Sequence, residues 1–247
     1  MNVTSSTPRV AVISGGSSGI GRAFAQELCR QGYRIITCGR DVAKLRRLQT
    51  EIPGARCCVC DMADARAVHD FAAEVIAEVG GVDLLISNAG GLREIDLTNP
   101  LGQHADLTSE IRTNLEGPIN LVAAFLPALR KADNVSIVIV SSGYALAPAT
   151  RGPIYSASKA GLHSYVKTLR RQLAPLGISV TEVLPPVVDT PPVAHRKVAK
   201  ISADTVVRLA LKAAATDKSE VYPGQARFLP LLLRVAPSLA ERIVGSS

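Results

Sequence analysis

Seven short runs of apolar and β-branched residues alternate along the chain with longer segments of helical periodicity, and this alternation restricts the fold more than any other feature. The runs lie at 9–14, 33–38, 55–60, 82–87, 135–141, 177–184 and 219–222. The periodic segments lie at 19–31, 41–51, 64–79, 105–131, 153–175 and 202–215. Most of the runs are apolar nearly throughout rather than at every second position, as expected of strands covered on both faces. Strands that alternate with helices predict an α/β architecture, a doubly wound parallel sheet. A chain of 247 residues fits one such domain better than two and can bury a sizeable core. We read residues 1–225 as that domain, with a loop at about 186–203 over its site. Residues 226–247 form a C-terminal extension.

The first unit carries the first chemical signal. Arg9-Val10-Ala11-Val12-Ile13-Ser14 leads into Gly15-Gly16-Ser17-Ser18-Gly19-Ile20-Gly21 and then an amphipathic segment. Strand, glycine-rich turn and helix in that order let backbone approach a pyrophosphate closely. The helix N-terminus adds free N–H groups and the positive end of a dipole. The pattern points to a dinucleotide site.

The second signal is Tyr155-Ser156-Ala157-Ser158-Lys159, with Ser142 upstream. A free tyrosine ionises only near ~10, too high for proton transfer at neutral pH. Lysine at i+4 shares its helix face. The positive charge favours phenolate and lowers the tyrosine pKa toward the range useful to a general acid/base. Tyrosine and lysine at this spacing also occur on ordinary solvated helix faces, so the spacing alone is a weak signal.

Together these motifs resemble the short-chain dehydrogenase/reductase family, over about residues 10–221. The glycine motif matches at residues 15–21, with Ser14 where threonine is usual. Asp61 matches the acid that meets the adenine. Ser87-Asn88-Ala89-Gly90 matches the family's Asn-Asn-Ala-Gly, with serine at its first position. The resemblance implies a Rossmann fold and a catalytic tetrad of Asn114, Ser142, Tyr155 and Lys159. In it Tyr155 exchanges the proton, Ser142 holds the substrate oxygen, Lys159 grips the nicotinamide ribose, and Asn114 holds a water of the proton relay behind Lys159. It also implies cofactor contacts from Gly15, Ser17, Ser18, Gly19, Ile20, Gly21, Arg40, Asp61, Met62, Asn88, Ala89, Gly90, Tyr155, Lys159, Val188 and Thr190. A homodimer or homotetramer built on the helices at 105–131 and 153–175 belongs to the same expectation.

Cofactor choice turns on the end of the second strand, where NAD binders place an acid for the ribose hydroxyls. Here the sequence is Ile36-Thr37-Cys38-Gly39-Arg40-Asp41. A guanidinium at Arg40 suits a 2′-phosphate and can stack on adenine. Ser17 offers a hydroxyl to the same phosphate, and Asp41 reads as a helix cap. The expected cofactor is therefore NADP(H). The expected function is interconversion of a carbonyl and an alcohol, most of all ketone reduction. The alternatives are a catalytically silent dinucleotide-binding regulator or scaffold, and an isomerase or dehydratase on the same fold.

Other features narrow the setting. After the sixth strand the family usually has Pro-Gly, whereas this chain has Pro185-Pro186-Val187-Val188-Asp189-Thr190, as in a bacterial reductase subgroup that includes the DltE-like proteins. The net charge of +7 comes from basic residues spread over several helices, which argues against a nucleic-acid surface. His195, Arg196, Lys197 and Lys200 read as solvated loop charge or as recognition of an anionic substrate. The five cysteines are Cys29, Cys38, Cys57, Cys58 and Cys60. Strand alternation is expected to set Cys58 opposite Cys57 and Cys60, so they read as buried thiols rather than a metal site, in a reducing cytoplasm. No signal peptide or long apolar span is apparent. Phe228-Leu229-Pro230-Leu231-Leu232-Leu233 in the extension packs on the core, lines an acyl-binding groove, or lies weakly on a membrane surface.

Overall fold

A computed structural model describes residues 8–98, 106–189 and 200–245. Seven strands form one parallel sheet in the order β3-β2-β1-β4-β5-β6-β7. They are β1 (Val10–Ser14), β2 (Arg34–Gly39), β3 (Arg56–Val59), β4 (Leu84–Ser87), β5 (Ser136–Val140), β6 (Ser179–Val183) and β7 (Glu220–Val221). The strand order reverses between β1 and β4, which pair through Ala11–Leu84, Val12–Leu85 and Ile13–Ile86. A crevice opens at the carboxyl ends of strands at such a reversal.

Both faces of the sheet are buried at its central strands, as the continuous apolar runs require, while edge strands β3 and β7 stay partly exposed. Val10 and Val12 face one core cluster, which contains Ile36, Leu85 and Ile137. Ala11 and Ile13 face the other, with Ile35, Leu84 and Ile86. The first face is covered by α3 (Ala65–Val79), α5 (Gly117–Leu129) and α6 (Pro153–Leu173), through Phe71, Val75, Leu121, Phe125, Leu162 and Val166. Phe71 and Phe125 meet edge to face with ring centres 5.6 Å apart. The second face is covered by α1 (Gly19–Arg30), α2 (Val42–Glu51) and α7 (Ala203–Ala214), through Phe24, Leu28, Leu48, Val206 and Val207. Asp41, Asp64 and Ser202 cap α2, α3 and α7 by accepting from main-chain N–H groups in the first turn.

Three expectations need correction. Cys60 lies in the first cluster with Cys58 packed against that cluster, while Cys57 packs on the second. Residues 57 and 60 are an odd number of positions apart, so alternation separates them instead of pairing them. The thiols are also less buried than expected: Cys38 and Cys60 are buried, Cys57 and Cys58 half-buried, and Cys29 exposed. The helix expected at 105–131 starts later among the described residues. It begins as α4 (Ser109–Ile111), widens into a π-helical turn over Arg112–Glu116 and continues as α5.

The C-terminal extension folds into α8 (Leu229–Val235) and α9 (Pro237–Gly245). Leu229 and Ala240 are buried against Ala147, and the Gly245 carbonyl accepts from the Thr150 amide. The extension is thereby fixed to the segment after β5. Among the described residues no helix is long and apolar enough to cross a membrane.

Candidate active site

The glycine-rich turn is held by short side chains at the ends of β1, β2 and β4. Ser14 Oγ accepts from the Asn88 and Ala89 amides, both at 3.0 Å, which ties the end of β1 to the start of the loop after β4. Asn88 Nδ2 donates to the Ser14 carbonyl at 3.1 Å and to the Gly15 carbonyl at 3.3 Å. Thr37 Oγ1 accepts from the Gly16 amide and donates to the Ile13 carbonyl. Gly15 and Gly21 show why the turn needs glycine. Gly15 sits at φ +70°, and a Cβ on Gly21 would lie 2.2 Å from the Gly15 carbonyl oxygen. Helix α1 starts at Gly19, and the side chain of its N-cap residue, Ser18, makes no capping bond. Its first-turn N–H groups therefore remain for a ligand in the crevice.

Opposite the glycine turn stand the residues singled out for proton transfer. Gly152 and Pro153 start α6, so Tyr155 and Lys159 occupy its first two turns. Lys159 Nζ lies 5.7 Å from the centre of the Tyr155 ring and donates to the Val140 carbonyl at 3.0 Å. Lys159 is only 3 % exposed. Burial pushes its ammonium down to about 8, against the attraction of Glu182, which raises it. Ser142 follows β5 and accepts from the Tyr144 amide at 3.1 Å, which leaves its hydroxyl proton to be donated. The neighbouring Ser141 Oγ is buried with no hydrogen-bond partner among the described residues.

Asn114 lies in the π-helical turn and is fully buried. Its side chain accepts from the Gly91 amide at 3.0 Å and donates to the Gly91 carbonyl at 2.9 Å. The amide is thus engaged with the loop after β4. A Cβ on Gly90 would fall 2.6 Å from Asn114 Oδ1 and 3.7 Å from Lys159 Nζ, so Asn114, Gly90 and Lys159 are stacked.

These groups share one cleft of about 1050 Å³. Gly15, Ser17, Ser18, Gly19, Ile20, Arg40, Asp61, Met62, Asn88, Ala89, Gly90, Ser142, Tyr155, Lys159 and Val188 all line it. Gly21 and Asn114 stand behind the lining, each in contact with it as described. Arg40 extends into the cleft mouth with Nη1 3.7 Å from Asp61 Oδ2. Asp41 caps α2 and pairs with Lys44. Thr190, His195, Arg196 and Lys197 lie outside the described residues.

The sequence reading missed several lining residues. Tyr144 packs edge-on against Tyr155 with ring centres 6.2 Å apart. Leu92 and Glu110 also line the cleft, as do Ile243 and Val244 of the extension. Phe228, Leu229 and Leu232, for which a groove lining is one of the three expected destinations, line it as well. Glu110 Oε1 accepts from the Arg93 amide at 2.7 Å, Oε2 is buried with no partner among the described residues, and burial raises its pKa. Nothing in sequence marks Glu110, because an acid in a first helical turn usually answers the helix dipole.

A fold reversing at β1 and β4, with a glycine turn at the switch point and tyrosine and lysine facing it, defines a nucleotide-dependent oxidoreductase scaffold. The family model for short chain dehydrogenases matches residues 9–200, and the chain belongs to the short-chain dehydrogenase/reductase family. A DltE protein of Bacillus subtilis (strain 168), described as an uncharacterized oxidoreductase, is 37% identical over 187 residues, covering 74% of this chain and 73% of that one. A short chain dehydrogenase from Burkholderia cenocepacia J2315, solved in complex with NADP, superposes with a TM-score of 0.84 at 25% identity, covering 97% of this chain and 98% of that one. A variant actinorhodin polyketide ketoreductase, solved with NADPH, superposes with a TM-score of 0.77 at 25% identity, covering 87% and 95%.

Proposed function

We propose that this protein is an NADPH-dependent reductase that converts a ketone with an apolar body into an alcohol. The observation that carries the reading is Tyr155 and Lys159 on one helix face, in the same cleft as the uncapped start of α1 and the Ser142 hydroxyl. The residues fit a dinucleotide. The backbone at Gly15 and Gly21 leaves no room for a side chain, and the first-turn amides of α1 are open to a pyrophosphate. Arg40 and Ser17 would hold a 2′-phosphate, Asp61 and Met62 the adenine, and Lys159 the nicotinamide ribose. When bound, the cofactor supplies the hydride. The NADP and NADPH complexes among the structural relatives favour the phosphorylated form.

The chain's own groups handle the proton. Ser142 donates to the substrate carbonyl oxygen and orients it. Tyr155 delivers its hydroxyl proton to the same oxygen as negative charge develops there. Lys159, charged and close to the ring, stabilises the phenolate left behind. Asn114 fixes the loop at Gly90 and Gly91, and so acts as a positioning residue. Leu229, Leu232, Ile243 and Val244 supply an apolar wall for the rest of the substrate. Purified protein mixed with NADPH and a panel of ketones tests the reading: NADPH absorbance should fall with bulky apolar ketones. No loss with any member of the panel would favour a dinucleotide-binding regulator.

A further inference from the structure

One buried charged cluster adjoins the cleft without lining it. Tyr155, Lys159 and His163 follow one another on α6 at four-residue spacing and share a face. His163 Nδ1 lies 2.8 Å from Glu182 Oε2. Glu182 is the fourth of the five residues of β6 and fully buried, and its other oxygen, Oε1, has no hydrogen-bond partner among the described residues. It stands beside Ile139 of β5, and the next residue, Val140, is the one whose carbonyl takes Lys159 Nζ. Ile139 belongs to the cluster under α6, so Glu182 projects toward the same helix. A carboxylate placed so, with half its bonding capacity unused, is costly in an interior. A neutral apolar residue would be cheaper if packing were the only requirement.

What the carboxylate changes is Lys159. Burial disfavours the ammonium, and the negative charge of Glu182 works against that effect. The other groups around Glu182 are already committed. From the β7 side, Glu220 Oε2 takes the Tyr222 hydroxyl at 2.5 Å. From α6, Arg170 donates to the Val180 and Ser219 carbonyls. His163, Glu182 and Glu220 have ligand-type atoms within 4.8 Å of one another, but these donors already bond to one another and to Tyr222, which leaves a cation reading unsupported.

We propose that His163 and Glu182 form a positioning pair that keeps Lys159 protonated, His163 holding the carboxylate in place and Glu182 supplying the charge. Its consequence for turnover rests on the reductase reading, because Lys159 acts there through Tyr155. Its effect on Lys159 itself does not.

The test is a titration of the Lys159 amine in the full-length protein, by NMR of nitrogen-labelled lysine, with the signal assigned by its loss in Lys159→Met. In Glu182→Gln the midpoint should fall by about one pH unit, the scale of a nearby opposite charge. Glu182→Thr, a neutral β-branched residue suited to a strand, should fall likewise and serves if the glutamine variant does not fold. Glu182→Asp, which keeps the charge, should return most of the shift. The alkaline limb of kcat/KM for ketone reduction should move to lower pH in step with the amine. A midpoint unchanged in the neutral variants overturns the proposal. A shifted midpoint in a protein that reduces no ketone upholds it and overturns the reductase reading.

Discussion

Tyr155→Phe removes one oxygen and keeps the ring that packs against Tyr144. Turnover should fall on the order of 10²–10⁴-fold, the usual worth of a general acid, while NADPH binding changes little. Fluorescence titration of the cofactor beside steady-state rates separates the two. Near wild-type turnover would remove Tyr155 from its proposed role. Arg40→Ala addresses cofactor choice. The guanidinium is largely exposed and pairs loosely with Asp61 at 3.7 Å, so the substitution disturbs little of the fold. NADPH affinity should weaken by about 1–3 kcal/mol, the range of a hydrogen bond to a charged group, with NADH nearly unaffected. Equal losses for both cofactors would show that Arg40 does not read the 2′-phosphate.

The strands, the glycine turn and the first turns of α6 were legible in sequence because each combines local pattern with local chemistry. β1 reads as apolar from Val10 to Ile13 and is buried throughout, and Gly15 and Gly21 stand where backbone crowding excludes a Cβ. Ser14 was legible only as a departure from threonine, yet its hydroxyl joins β1 to the loop after β4. Glu110, Tyr144 and the α9 part of the wall were not legible. They meet the cleft through contacts between distant segments, and no local periodicity encodes those. The extension was read with three destinations open, and its packing against Ala147 and Thr150 places it at the cleft edge. If α8 and α9 form the wall for an apolar substrate, removing residues 226–247 should raise KM several-fold for bulky ketones and much less for small ones. Steady-state kinetics on a matched ketone series reads the difference. Parallel loss across the series, together with a lowered melting temperature, would assign the extension to packing alone.

At the scale of the whole molecule, the net charge of +7 should draw an anionic cofactor. Association of NADPH, followed by stopped flow, should therefore slow as salt rises. The buried ammonium couples the site to global stability. Lys159 has its pKa lowered from 10.5 to about 8 in the folded chain, so between those values the unfolded chain binds more protons. Stability from this group rises with pH across that window and carries its full cost below it. Lys159→Met should gain on the wild type by on the order of 3 kcal/mol at pH 7 compared with pH 11. Urea denaturation at the two pH values measures that difference. The central claim is NADPH-driven ketone reduction with the proton from Tyr155. It is tested most directly by NADPH oxidation with an apolar ketone across pH 6–9, for the wild type and Tyr155→Phe together. The account predicts turnover in the wild type that declines as pH passes about 8, where Lys159 loses its proton, and almost none in the variant. A wild type without ketone-dependent oxidation at any pH, or a variant as active as the wild type, would contradict it.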